Sequence, residues 1–420
     1  MKSFAVLSVL LTQGHTIHAF VINPALTKTH TFTHNLHLQS TDTTELYATD
    51  NIKPKTANKA KPRTGIAQIL LNAALTSPLW KLVLVPQARQ NIVKTAQANG
   101  IKWEASYAWL KSQDGPWKDD QTFESAYPTY YKKEFHAYEQ GNLCWNAAFE
   151  QELASRAVGA RNFPEYGPNG EDAFRGAFEN AIVKLSGGVS TDGIVVDLGC
   201  GTGTSTRRLA SLFPQAKKFV GIDLSPYFIQ VGKSLLELAP RGQSEGGSWV
   251  TNIVPDERIE LRVGDASNTD IDDESVDVVN LTMVIHELPI DVTCHVCKEA
   301  LRILKPGGKL FISEMDFDSP AYAAQRANAL LFSLLRATEP YLDEYADGCE
   351  EIRQMLIANY ETVQITAATG RHYALVATKG TTIDMESGAV GKFEDTRFDV
   401  DGNYTVDDTH LKVWESSTKE

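Results

Sequence analysis

The residues with the clearest chemical meaning are three glycines at alternate positions, Gly199, Gly201 and Gly203. The preceding residues 194–197 read Ile-Val-Val-Asp, and their β-branched run predicts a buried strand that ends at an acid. Glycine adopts backbone angles closed to other residues and lets the chain approach a ligand closely. Because a helix-forming run begins near Thr206, the segment is typical of a nucleotide-type loop at the carboxyl end of a strand.

The spacing of these glycines differs from two common phosphate-binding loops. The dinucleotide pattern would need a glycine at Thr204, and a P-loop would need Lys-Ser or Lys-Thr after Gly203. The sequence has neither, so both classes are excluded for this loop.

Two further acids follow predicted strands. Asp223 ends the apolar run 219–222, where a carboxylate can accept both hydrogen bonds of a ribose diol. Asp265 follows the run 261–263. Taken alone, Asp223 could be a helix N-cap and Asp265 a turn residue.

Several motifs in order resemble those of class I S-adenosylmethionine-dependent methyltransferases. Asp-x-Gly-x-Gly-x-Gly at 197–203 resembles motif I, and Leu-Lys-Pro-Gly-Gly at 304–308 resembles the type 11, ubiquinone-biosynthesis-like branch. The resemblance implies an α/β fold with a Rossmann-like sheet, mostly parallel with one antiparallel strand, and an N-terminal helical cover. The predicted hairpin at 360–378 would supply that antiparallel strand.

The resemblance also implies S-adenosyl-L-methionine as cofactor, with Asp265 facing the adenine amino group. The implied cofactor residues share the loops and strand ends of the first four predicted strands: Asp197, Gly199, Cys200, Gly201, Gly203, Asp223, Leu224, Asp265, Ala266 and Leu281.

The aromatic segment 127–145 is the predicted cover of the acceptor site, because in the family the residues before motif I often cover the substrate pocket. The side chains expected to contact a planar, largely apolar acceptor are Tyr131, His136, Tyr138 and Trp145. Each of them taken singly is more often a core residue than a ligand contact, and that alternative stays open.

His286 is the candidate catalytic residue. It lies in Val-Ile-His-Glu-Leu-Pro at 284–289, after the predicted fourth strand, where the family brings side chains toward the methyl group. A weakly acidic acceptor would use it as a general base. A structural role, with His286 bonded to Glu287 or the backbone, is an equal alternative, and His136 is the second candidate base.

No metal site is predicted from the sequence. Cys-His-Val-Cys at 294–297 has two thiols, but a zinc site needs about four ligands and no second pair lies at a suitable spacing. Two small apolar residues in a helix explain the pair more simply.

The formal net charge of −13 is unevenly distributed. Residues 1–100 contain ten Lys/Arg and three Asp/Glu, so the remainder carries 30 basic and 50 acidic side chains. An acidic body repels phosphate backbones, which argues against RNA or DNA as a partner. The predicted partner is a small-molecule methyl acceptor, and the oligomeric state is left open.

The first fifty residues have the composition of a targeting presequence. Lys2 precedes a short apolar run at 4–11, as in a secretory signal. Residues 20–50 are rich in Thr and His, which is transit-peptide composition. A signal followed by a transit region beginning at Phe20 resembles the bipartite presequence of algae with secondary plastids, and it predicts the chloroplast stroma. A secreted or endomembrane protein is the alternative, against which the odd count of five cysteines argues.

Five regions are predicted: a targeting presequence at 1–50, a flexible linker at 51–64, a helical N-terminal extension and substrate cover at 65–173, the methyltransferase domain at 174–380 and an acidic C-terminal extension at 381–420. Residues 79–94 are predicted to be helical, with a kink or an interruption at Pro86. This helix either packs on the core, which is the favoured interpretation, or contacts a membrane surface. The Gly-rich insertion 239–256 is a surface loop, a lid or a partner site.

The sequence therefore predicts a plastid methyltransferase that acts on a small, aromatic or quinol-type molecule. Two alternatives remain. A protein methyltransferase would show an open acidic groove for a basic peptide. A non-catalytic S-adenosylmethionine-binding module would be favoured by loss of Asp223 or Asp265, and both acids are present.

We expect residues 1–50 to be absent from the mature protein, because both halves of the predicted presequence are removed after import. Sequencing the N-terminus of native material checks this. An intact Met1 on the mature protein would refute cleavage.

Overall fold

The computed structural model of the chain describes residues 85–407 except 124, 137, 188–191, 239–246, 248–252, 329–331, 333–334, 336–337 and 382–390. The predictions made for 1–84, and for most of the insertion 239–256, concern residues outside this set.

The described helices lie before, between and after the predicted strands. In chain order they are α1 Val85–Ala98, α2 Trp103–Ser112, α3 Trp145–Asn162, α4 Gly170–Ser186, α5 Thr204–Leu212, α6 Pro226–Leu238, α7 Ile290–Ile303, α8 Pro320–Ala327 and α9 Leu342–Asn359.

One sheet contains all the described strands, in the spatial order β3-β2-β1-β4-β5-β7-β6-β8. They are β1 Ile194–Leu198, β2 Lys218–Asp223, β3 Ile259–Val263, β4 Val276–Thr282, β5 Leu304–Met315, β6 Thr362–Thr369, β7 His372–Thr378 and β8 Lys392–Asp395. Strand β7 is antiparallel to both neighbours, and every other pair is parallel. This order confirms the predicted class I methyltransferase fold with its single antiparallel strand.

The chain order reverses at β1, which lies between β2 and β4. In open α/β sheets a ligand binds outside the carboxyl ends of the strands at such a reversal. The fold therefore places the predicted glycine loop, which directly follows β1, at the expected binding crevice.

Helices cover both faces of the sheet, which explains why its central strands read as continuous apolar runs. Successive side chains on a strand point to opposite faces. Val196 accordingly packs with residues of α7 and α9, such as Leu356. Val195 packs on the other face with residues of α4 and α5, such as Phe178.

The N-terminal extension forms a third apolar cluster, built from α1, α2 and α3 against α6. Helix α1 lies against α3, where Arg89 pairs with the buried carboxylate of Glu150. The described residues of 79–94 therefore pack against the protein, which agrees with the interpretation that this helix packs on the core. Pro86 lies in the first turn of α1, where its missing N–H has no helical partner to lose; whether it kinks or interrupts a longer helix concerns residues before 85, outside the described set. Among the described residues, no helix combines the length and apolar character that a membrane span requires.

The C-terminal extension contributes an unexpected edge strand. This strand, β8, pairs in parallel with β6. Arg397, 2% exposed, follows β8 and is 2.8 Å from an oxygen of Asp316 and 2.7 Å from one of Asp395. Because a buried guanidinium needs such partners, these ion pairs fix the extension to the end of β5.

Candidate active site

The glycine loop adopts the left-handed backbone conformation that its composition predicts. The φ angles of Gly199, Gly201 and Gly203 are 70°, 56° and 88°, where L side chains are strained. A Cβ atom at Gly199 would lie 2.7 Å from a methyl carbon of Val284, so the loop and the segment after β4 approach each other closely. The Gly199 amide donates to the Ile222 carbonyl at 2.8 Å, which ties the loop to β2.

The carboxylate of Asp197 holds the two ends of this loop, β1 and α5, together. Its Oδ1 accepts a hydrogen bond from Asn280 Nδ2 at 2.8 Å, and its Oδ2 accepts from the hydroxyls of Ser205 and Thr206 at 2.7 and 2.6 Å. Burial raises the pKa of Asp197, and these hydrogen bonds oppose the shift. The carboxylate therefore connects β1, β4 and α5, while its predicted contact with the cofactor stays a prediction.

Asp223 offers a buried acceptor beside the glycine loop. Its Oδ2 accepts from the Gly201 amide at 2.9 Å and its Oδ1 from the Ser225 amide at 2.8 Å. The Tyr131 hydroxyl donates to Oδ1 over a longer distance of 3.4 Å. Burial raises the pKa of Asp223 to about 6 despite these bonds. A buried acid next to a left-handed glycine loop fits the ribose of S-adenosylmethionine, so these residues would hold that cofactor.

Asp265 lies at the next strand end, half-buried, as the adenine assignment requires. Its Oδ1 accepts from the amide and hydroxyl of Ser267 at 2.8 and 2.7 Å. Leu224 and Ala266, which follow the two acids, are half-buried as well. These side chains are in place to line a cleft along the carboxyl ends of β2 and β3.

Two further predicted cofactor residues, Leu281 and Cys200, also have buried side chains. Leu281 is 1% exposed and belongs to the main apolar core. Cys200 is 3% exposed, and burial raises the pKa of its thiol. A protonated buried thiol is a poor nucleophile, so Cys200 serves as a small side chain within the loop.

The aromatic cover crosses the crevice and is held at both ends. Its single turn of 3₁₀ helix, Thr129–Lys132, places Tyr131 on Asp223. The Tyr341 hydroxyl donates to the Tyr130 carbonyl at 3.1 Å, and the amide of His136, further along the cover, donates to the carbonyl of Thr338 at 3.0 Å. The segment 338–341 before α9 therefore holds the cover over the strand ends.

His136 meets the segment after β4, as the sequence analysis expected of the cover. Its Nε2 lies 2.8 Å from Glu339 Oε1 and 4.0 Å from Glu287 Oε1. Glu287 directly follows His286 in a short 3₁₀ turn. The structure thus brings both predicted histidines and Tyr131 to the same crevice.

His286 has a partner that the sequence analysis did not name. Its Nδ1 lies 2.8 and 2.9 Å from the two carboxylate oxygens of Glu314, at the end of β5. Burial alone would lower the pKa of His286, but Glu314 raises it to about 10. The imidazole is therefore protonated at neutral pH, which favours a hydrogen-bond donor over a general base.

Tyr138 and Trp145 lie elsewhere, in the third apolar cluster. The Tyr138 hydroxyl bonds to Glu150 of α3. The Trp145 indole donates to the Gln121 carbonyl at 3.0 Å, and its ring is 4.9 Å from that of Tyr227. These two side chains build the cover itself, so their predicted contact with an acceptor has less support than that of Tyr131 and His136.

The sequence analysis missed Glu314 and Glu339 because no short motif contains them. Glu314 carried one usable signal, since a carboxylate inside an apolar strand is rare unless it is paired. Glu339 lies just before α9, away from the strand ends where functional side chains were expected.

Replacing Asp223 by alanine should weaken S-adenosylmethionine binding by about 1–3 kcal/mol, because hydrogen bonds to a charged acceptor are lost. Isothermal calorimetry measures this, with Asp399→Ala, an exposed acid of the C-terminal extension, as control. In the wild type, affinity should fall as the pH drops below about 6, since the ribose hydroxyls donate best to the ionised carboxylate. Unchanged affinity in folded Asp223→Ala would refute the ribose assignment.

Comparison with known proteins agrees with this geometry. Residues 196–312 match the family described as methyltransferase domain. The chain is 30% identical over 119 residues to demethylmenaquinone methyltransferase of Bacillus cereus, covering 28% of this chain and 43% of that protein. It is 27% identical over 124 residues to an uncharacterized 37.1 kDa protein of a Streptomyces fradiae transposon, covering 30% of each. The chain thus spans less than half the length of these curated relatives.

Among solved structures, the chain is similar to phosphoethanolamine N-methyltransferase 2 of Haemonchus contortus in complex with S-adenosyl-L-methionine. The identity is 18%, the TM-score 0.35, and the match covers 54% of this chain and 60% of that one. The TM-score is low, and the fold assignment rests on the strand order. Residues 196–312 of the chain are therefore a methyltransferase domain whose cofactor is S-adenosylmethionine.

Proposed function

We propose that the whole protein transfers a methyl group from S-adenosylmethionine to a small aromatic acceptor of the phenol or quinol type in the plastid. The observation that carries this proposal is the cover: it is held over the carboxyl ends of the strands by Tyr131 on one side and His136 on the other.

A crevice that lies under a cover suits a small acceptor better than a peptide. The contacts of the cover come from two separate parts of the chain: Asp223 at the end of β2, and the segment before α9 with the Thr338 carbonyl and the Tyr341 hydroxyl. A basic peptide would need an open acidic groove, whereas small-molecule sites bury most of their ligand. The geometry therefore favours the small-molecule proposal over protein methylation.

The aromatic character of the acceptor has two supports. Tyr130 and Tyr131 pack edge to face with ring centroids 6.3 Å apart, and such rings attract planar, apolar ligands. One of the relatives is named for demethylmenaquinone, a quinone-type molecule. The first observation supports a planar, apolar acceptor, and the second supports a ring that carries oxygen.

When bound, S-adenosylmethionine supplies a methyl group already activated on a sulfonium, so the protein mainly positions the acceptor and excludes water. In this proposal His286, whose Nδ1 contacts Glu314, donates a hydrogen bond from Nε2 to an acceptor oxygen. The pKa of His136 is also raised, by Glu339 against the effect of burial. The cationic imidazole of His286 at the acceptor end would stabilise a phenolate, which is the nucleophilic form of a phenol.

The plastid location rests on the composition of residues 1–50, with its secretory-type start and its Thr- and His-rich continuation.

The acceptor is tested by incubating the full chain with methyl-labelled S-adenosylmethionine and a plastid extract. We expect the label in solvent-extractable aromatic molecules, identified by mass spectrometry. Label in protein, or no transfer at all from any fraction, would contradict the proposal.

In the same assay, His286→Ala should lower turnover at least about tenfold while S-adenosylmethionine affinity stays near the wild-type value, because the residue acts on the acceptor. His295→Ala, an exposed histidine of α7, is the matched control. If the imidazolium is the active form, wild-type turnover falls above pH 10, where His286 loses its proton. A fall below about pH 6.5 that disappears in His286→Ala would instead identify a neutral base.

A further inference from the structure

Three potential metal ligands converge on the acceptor side of the crevice. They are His136 in the cover, Glu287 after β4 and Glu339 before α9, and one ligand atom from each lies within 4.8 Å of the others. The ligand atoms of a zinc-like ion, each about 2.1 Å from the metal, lie about 3–4 Å from one another. The distances from His136 Nε2, 2.8 Å to Glu339 and 4.0 Å to Glu287, bracket that range.

One carboxylate oxygen in this cluster lacks a partner. Glu339 Oε2 is buried and accepts no hydrogen bond among the described residues. A buried carboxylate oxygen left unsatisfied costs about 1–3 kcal/mol or more, so native proteins rarely retain one without a function. The second oxygen of the same group already contacts His136, so the carboxylate has a free coordination site beside an imidazole.

The cluster also has an unfavourable charge arrangement that a cation would relieve. The ligand atoms of Glu287 and Glu339 lie within 4.8 Å of each other beside one imidazole, so the two carboxylates repel each other when both are ionised. His136, whose side chain is 45% exposed, leaves a path by which an ion could enter from solvent. Its φ of 49° is uncommon for a non-glycine residue and is held by the bond of its amide to Thr338.

We propose that His136, Glu287 and Glu339 form a binding site for a divalent transition-metal ion of the Mn²⁺, Fe²⁺ or Zn²⁺ kind. One imidazole with two carboxylates favours these ions over Mg²⁺ and Ca²⁺, which prefer oxygen ligands alone. Three protein ligands leave coordination positions open for an exogenous oxygen. The proposal that the ion binds is independent of methyl transfer. The proposal that the bound ion holds an oxygen of the acceptor next to His286 rests on the proposed function.

The test titrates the full chain with Mn²⁺ alone and follows the free ion by electron paramagnetic resonance. Mn²⁺ is chosen because it has little affinity for the thiols at 294–297. We expect one bound Mn²⁺ per chain, and at least about tenfold weaker binding in Glu339→Gln and in His136→Ala. The control His295→Ala should bind like the wild type.

S-adenosylmethionine affinity, measured by calorimetry on each variant, reports that the crevice is folded. If His136→Ala does not bind S-adenosylmethionine like the wild type, the Mn²⁺ titration uses Glu287→Gln instead, together with the near-isosteric Glu339→Gln. Two results would overturn the proposed metal site. One is that Mn²⁺ stays free in the presence of the wild type up to about 1 mM. The other is that the wild type and Glu339→Gln bind Mn²⁺ equally well. Either result would leave the methyltransferase proposal standing, because cofactor binding and methyl transfer are measured separately.

Discussion

The crevice depends on one buried carboxylate, that of Asp197, which is 1% exposed. A charge so far from water is tolerated only when it is fully hydrogen-bonded. Its three donors come from the neighbouring strand, through Asn280, and from the first turn of α5, through Ser205 and Thr206. Loss of this carboxylate would leave buried donors unsatisfied, at about 1–3 kcal/mol for each. The same group that fixes the glycine loop thus also holds together the strands between which the crevice opens.

A second set of charges governs the acceptor end. Glu314, 0% exposed, keeps His286 protonated. Burial lowers the pKa of His136, but Glu339 raises it by more. The cofactor end is acidic and bonded to backbone amides, whereas the acceptor end pairs imidazoles with carboxylates. This division matches a cleft that binds a ribose at one end and an oxygen-bearing ring at the other.

The sequence predicted the sheet well because each strand carries a local signal, an apolar run that ends in an acid or a turn, such as the run that ends at Asp197. It could not predict β8, since Lys392–Asp395 is short, polar and exposed on its faces, and is held by its pairing with β6 and by buried Arg397. Glu314 and Glu339 were missed for a related reason. Their partners are His286 and His136, remote in sequence, and contacts of that kind leave no periodic pattern. The aromatic segment left two interpretations open, because packed rings and ligand-binding rings have the same composition.

The central claim is that the loop after β1 and the acid after β2 form the cofactor cleft under the cover. Hydrogen exchange followed by mass spectrometry, with and without S-adenosylmethionine, tests it most directly. We predict slower exchange at the amides of 199–205 and 223–225, with a smaller effect in the cover at 129–136. Unchanged exchange in the first two segments at saturating cofactor, with protection elsewhere, would contradict the account.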